Sequence, residues 1–150
     1  MIRGVYLNTM NDDLSACKEI YHEVFKEIAT GNNANIEEWN KSGNTEDMAI
    51  YLLLFNEDEI PVGTSRLIFD FDGMFKFDGL AVLSQFRKKG YGDFIMHMMF
   101  DKAYQSGAHY LVSDDIYHMP EYFEKYGFVI ENQRMILDLK KYFNTHKCCH

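Results

Sequence analysis

Three cysteines in 150 residues, one at Cys17 and two adjacent at Cys148 and Cys149, are too few and too unevenly spaced for a disulfide framework. They suit a reducing compartment. The terminal run His146-Lys147-Cys148-Cys149-His150 could offer soft metal ligands, but adjacent cysteines match no common structural zinc spacing, and no metal site is expected. No apolar run approaches the roughly 20 residues that a membrane span requires. The opening Met1-Ile2-Arg3-Gly4-Val5-Tyr6 lacks the apolar stretch of a signal peptide, so the expected location is cytoplasmic. Positive charge is scarce: 15 Lys and Arg against 23 Asp and Glu leave a net charge of -8. That argues against nucleic acid as the principal partner, because phosphate contacts need a basic surface. An acidic surface does favour the approach of amines.

The length fits one domain with a real core, spanning residues 1-150, without repeat, linker or low-complexity segment. Ile2 to Asn8 alternates as a first strand, and Asn11-Asp12-Asp13 supplies capping chemistry for a helix from about Leu14 to Ala29. Leu14, Cys17, Ile20, Tyr21, Val24 and Ile28 form its apolar stripe. Thr30 to Asp47 is polar, with a short possible helix at Ile36 to Asn40. Met48 to Phe55, Ile60 to Asp70 and Phe75 to Leu83 then read as three antiparallel strands joined by turns at Asn56 to Glu59 and Phe71 to Met74. A helix from about Tyr91 to Ser106 follows, with Phe94, Ile95, Met98, Met99 and Ala103 on one face and Gly107 closing it. Tyr110 to Val112 is a short strand, Pro120 to Tyr126 a helix, and Phe128 to Ile130 with Arg134 to Leu139 a terminal antiparallel pair.

The densest chemistry lies between the third of those strands and the helix after it. There Leu80-Ala81-Val82-Leu83 breaks into Ser84-Gln85-Phe86-Arg87-Lys88-Lys89-Gly90-Tyr91-Gly92. A helix start has unpaired N–H groups and a partial positive charge, and glycines let a phosphate approach the main chain. Three cations oppose the dipole at such an end, which favours an anion site over a merely solvated basic cluster. A P-loop needs Lys-Ser or Lys-Thr after its last glycine, whereas Asp93-Phe94 follows Gly92. A dinucleotide fold would carry its glycines after the first strand.

The order Arg87-x-x-Gly90-x-Gly92 resembles the coenzyme A pyrophosphate loop of the GNAT N-acetyltransferase superfamily. The element order βαβββαβαββ is similar to that family's over nearly the whole chain. The resemblance implies an α+β, three-layer fold: a mixed, mostly antiparallel sheet with helices on both faces and a splayed fourth and fifth strand. It implies acetyl-CoA as cosubstrate and an amine-bearing acceptor, with no covalent enzyme intermediate. Leu80, Ala81 and Val82 would pair with pantetheine, and Arg87, Lys88, Lys89, Gly90, Tyr91 and Gly92 would bind the pyrophosphate. It also implies a possible homodimer through Val129 to Leu139.

Tyr122-Phe123-Glu124-Lys125-Tyr126-Gly127-Phe128 is similar to a second family segment, with one departure. Phe123 stands where the family's thiolate acid, a tyrosine, is usual. Tyr122 and Tyr126 flank it on other faces of the helix. The candidate catalytic groups are therefore Tyr117 and Tyr122 for the thiolate, with water as the alternative, and Asp78 as the base for an amine whose pKa is near ~10.4. Asp78 is expected mid-strand on the face it shares with Lys76 and Leu80; pairing with Lys76 or a neighbouring strand is the bland alternative. Asp114, Asp115 and His118 could act through a water. The rival function is a binding module that keeps the CoA site without turnover.

Overall fold

A computed structural model describes residues 1–28, 49–69, 71–113 and 120–145. Strands β1 (Arg3–Asn8), β2 (Ala49–Phe55), β3 (Pro61–Ile68), β4 (Met74–Val82), β5 (Tyr110–Ser113), β6 (Val129–Glu131) and β7 (Arg134–Asp138) form one sheet in the order β1-β2-β3-β4-β5-β7-β6. Every neighbouring pair is antiparallel except β4 with β5, which is parallel. Short turns explain the β2–β3 and β3–β4 pairings, since adjacent antiparallel strands need only tight connections, whereas β1 and β2 are neighbours in the sheet although a helix over Ser15–Ile28 lies between them in the chain. At Asn56 the side-chain Oδ1 accepts from the N–H of both Asp58 and Ile60, which fixes the β2–β3 turn.

Helix α1 (Ser15–Ile28) covers one face of the sheet. Asp13 accepts the Ser15 N–H just ahead of it, and Leu14, Cys17, Ile20, Tyr21 and Val24 pack on Tyr51, Leu53 and Ala81. The opposite face carries α2 (Tyr91–Gln105), α3 (Pro120–Glu124) and α4 (Leu139–Thr145). Its core joins Leu52, Leu54, Leu67 and Phe77 to Ile95, Met96, Met99, Phe100 and Ala103 of α2. Residues of β2 thus alternate between two apolar layers, which is why the strand reads as an unbroken apolar run. The buried face of α2 differs from the expected one: Met96 and Phe100 are inside, whereas Phe94 is 39% exposed. The terminal chain also differs, because β7 ends at Asp138 and α4 follows, with Tyr142 buried against Phe100.

Two irregularities in β4 shape the candidate site. Its pairing with β5 runs only from Met74↔Tyr110 to Lys76↔Val112, while the strand continues to Val82. Among the described residues no strand pairs with the edge of β4 facing β5 beyond Lys76. The second irregularity is a bulge. Arg66 pairs with Asp78 and Thr64 with Ala81, so Gly79 and Leu80 together oppose Ser65. Gly79 has φ 66, the left-handed first position that this kind of bulge takes up. The extra residue reverses the faces that simple alternation predicts. Asp78 points to the α1 side, where its charge acts on Tyr21 and Tyr51, but Leu80 packs into the α2 layer. Asp78 and Leu80 do not share a face, contrary to expectation.

Candidate active site

The segment from Val82 to Gly92 folds as a 3-10 turn at Ser84–Phe86, an extended Arg87, and left-handed residues at Lys88 (φ 63) and Gly90 (φ 85). Gly90 is the N-cap of α2. Phe94 N–H closes the first helical bond to the Gly90 carbonyl, which leaves the amides of Tyr91, Gly92 and Asp93 without intrahelical acceptors. No side chain caps this end among the described residues. A Cβ built on Gly90 would meet nothing within 4 Å, so the approach to these amides is open. Lys88 and Lys89 are exposed beside it. The donor set suits a pyrophosphate: consecutive N–H groups, the positive end of a 15-residue helix, and mobile-length cations.

Arg87 binds inward. Its Nε donates to the Val82 carbonyl at 2.9 Å and ties the loop to the strand end. Since Leu83 N–H donates to Val62 O on β3, antiparallel alternation turns the Val82 peptide groups toward the open edge. The Val82 carbonyl is thus already engaged by Arg87.

Asp78 is held in a bidentate ion pair across β3 and β4. Arg66 Nε and Nη2 donate to its two oxygens at 2.8 and 2.7 Å. The guanidinium side chain is 1% exposed and the carboxylate side chain 16%. Burial alone would lower the Arg66 pKa; hydrogen bonds and charge from Asp78 outweigh it and raise it, so the arginine stays charged. Burial raises the nearby Tyr51 and Tyr21 phenols, which remain protonated. The neighbouring-strand pairing of Asp78 is therefore present. Of roughly four acceptor positions on a carboxylate, Arg66 takes two, leaving two for another donor.

Tyr122 and Tyr126 project from the α3 segment onto the first turn of α2. A Cβ on Gly92 would lie 3.0 Å from the Tyr122 hydroxyl and 4.0 Å from Val82 Cγ2. Gly92 is thus a close-approach glycine for a phenol. Tyr126 donates a hydrogen bond to Asp93 Oδ1, and its oxygen lies 3.4 Å from that of Tyr122. Asp93 Oδ2 is 3.5 Å from His97 Nε2, and His97 Nδ1 is 2.9 Å from the Tyr142 hydroxyl. Burial pushes both the Tyr122 and Tyr126 phenols up, the latter further through Asp93. Phe123 is 3% exposed and meets Phe77 and Phe128 edge-on. The Asp93 contact escaped sequence reasoning, because 33 residues separate its partners and no motif joins them. Tyr117, Asp114, Asp115, His118 and the cysteine-bearing tail lie outside the described residues.

A sheet that parts between β4 and β5, with a capless glycine-started helix at the gap, is the architecture of an acyl-CoA acyltransferase. Among solved structures the chain is similar to the PaiA N-acetyltransferase of Thermoplasma acidophilum in complex with coenzyme A (TM-score 0.68, 16% identity, 91% of this chain and 96% of that one). A GNAT-family acetyltransferase from Staphylococcus aureus gives TM-score 0.69 and 15% identity over 93% and 99%. The ribosomal-protein-S18-alanine N-acetyltransferase of Escherichia coli gives 0.67 and 14% over 93% and 94%. At these identities the likeness is one of fold. No curated protein matches by sequence. The family model for the acetyltransferase (GNAT) family matches residues 7–128, and the chain belongs to that family. Among the described residues no helix is long and apolar enough to cross a membrane.

Proposed function

We propose that this acyltransferase moves the acetyl group of acetyl-CoA to a primary amine by direct attack in a ternary complex. The observation that carries this reading is the open edge of β4 beyond Lys76, running into the uncapped start of α2. Backbone groups of Leu80, Ala81 and Val82 would hold the pantetheine, with the Val82 carbonyl shared with Arg87. Lys88, Lys89 and the Gly90-Tyr91-Gly92 amides would hold the pyrophosphate. When bound, the cosubstrate supplies an activated acetyl thioester. The remaining acceptor positions of Asp78 are suited to receive a proton from the incoming ammonium, or to orient it, while Arg66 fixes the position of the carboxylate. The thiolate can take its proton from Tyr117, Tyr122 or water.

Binding is tested by thermal stability with and without acetyl-CoA at about 100 times its dissociation constant, where a ligand specific for the folded state stabilises by roughly 2.7 kcal/mol. The wild-type shift should vanish in Gly90→Glu, which sets a carboxylate over the amides. Absence of a shift in the wild-type protein would withdraw acetyl-CoA as donor. Burial of Phe123 in the α2 core favours a second reading, a CoA-binding module without turnover. Acetyl transfer to any member of a broad amine panel at alkaline pH, lost in Asp78→Asn, would exclude it.

A further inference from the structure

We propose that Tyr122 is a binding residue for the CoA phosphates, its hydroxyl donating to a phosphate oxygen seated at the start of α2, with Tyr126 and Asp93 as its positioning residues. This rests on the CoA reading above and goes beyond it, because it moves Tyr122 from the thiolate to the other end of the cosubstrate. The hydroxyl lies 3.0 Å from where a Cβ on Gly92 would sit, in the first turn of α2, and that same point is 4.0 Å from Val82 Cγ2, where the strand ends and the loop begins. That is the phosphate end of the open edge, whereas Leu80 and the Gly79 bulge lie further back along β4.

The surrounding network leaves the Tyr122 proton available. Tyr126 has one hydroxyl proton, and Asp93 takes it. The Tyr126 oxygen can then only accept from Tyr122, at 3.4 Å, a weak bond that an anionic oxygen would readily displace. Lys125 Nζ lies 4.4 Å from the centre of the Tyr122 ring and 5.1 Å from that of Tyr126, so both rings are braced from one face. The same arrangement deals with an apparent misfit. Asp93 is a carboxylate in the first turn of a helix meant to receive an anion, and it would repel phosphate. Tyr126 and His97 engage its two oxygens from the side away from Gly90 in sequence, which turns the charge into an anchor for the tyrosine pair.

Calorimetric titration of the full chain with CoA and with 3′-phospho-ADP, which keeps the pyrophosphate and lacks the pantetheine, tests the proposal. Tyr122→Phe, which deletes a single oxygen, should weaken both ligands by the same factor, roughly 10- to 100-fold for a hydrogen bond to a charged group. Tyr126→Phe should weaken both by a smaller factor. Unchanged dissociation constants in Tyr122→Phe would overturn the proposal, as would weakening of CoA alone, which would assign the hydroxyl to the pantetheine. Unchanged constants in Tyr126→Phe would remove the positioning role. Failure of the wild-type protein to bind CoA would instead overturn the underlying donor reading, and is seen without any variant.

Discussion

Replacing Asp78 by alanine removes the counter-ion of a guanidinium that is 1% exposed and donates to both carboxylate oxygens within 2.8 Å. Exposed ion pairs contribute at most about 1 kcal/mol, but stripping one partner from a buried pair strands the other charge and costs roughly 3–5 kcal/mol. The carboxylate is only 16% exposed, so little of that is relieved by water. For a chain of this length each kcal/mol moves Tm by about 2–4 °C, giving a fall of roughly 6–20 °C. Urea denaturation and a thermal scan of Asp78→Ala measure it directly. The double variant R66M/D78L, which removes both charges and fills their volume, should recover most of the loss, because it leaves no buried charge unpaired. A cost below about 1 kcal/mol for Asp78→Ala would refute the reasoning, since Arg66 would then be finding water that its burial denies it. Failure of the double variant to recover would mean that the stability lies in packing around the bulge and not in charge.

Three further outcomes follow from local geometry. Gly90→Ala should lose about 1–2 kcal/mol by forcing a Cβ into the left-handed region, and Gly90→Asn less, since asparagine tolerates it; equal losses in urea denaturation would contradict the φ of 85. Cys17 is fully buried, and burial raises its thiol pKa. In a C148S/C149S background it should resist iodoacetamide at pH 8 until the protein unfolds; rapid native alkylation would show that α1 opens readily. Hydrogen bonding from the Ser15 N–H, then from its hydroxyl, lowers the Asp13 pKa below its ordinary 3.8. Its contribution should therefore be complete above that value and disappear as pH falls through the lowered one. The stability gap between wild type and Asp13→Ala, followed by denaturation from pH 7 to pH 2, should close only at the acid end.

Much of the local structure around the candidate site was legible because its signals are local. Gly90 and Gly92 after an apolar strand mark a turn into a helix whatever surrounds them, and the α1 stripe from Leu14 to Val24 is a simple 3.6-residue period. Misplacements came where a single residue breaks a period. Phe94 fits the helical stripe by spacing, yet it falls on the exposed side of α2, while Met96 and Phe100 meet the sheet. At Gly79 one extra residue in β4 separates Asp78 from Leu80, and the glycine alone cannot announce whether it bends, bulges or merely weakens a strand. The α4 helix follows β7 without a breaker, so the apolar run into Leu139 read as more strand.

Sequence by itself determined most of the elements, the glycine-bearing turn into α2 and the family resemblance, since each depends on residues near one another in the chain. Tertiary structure decided who meets whom across long separations: Arg66 with Asp78 through the β3–β4 register, Tyr126 with Asp93 across α3 and α2, and Tyr122 over Gly92. Those contacts depend on how layers pack and which face a side chain takes, quantities that periodicity constrains only until a bulge or a helix rotation resets it.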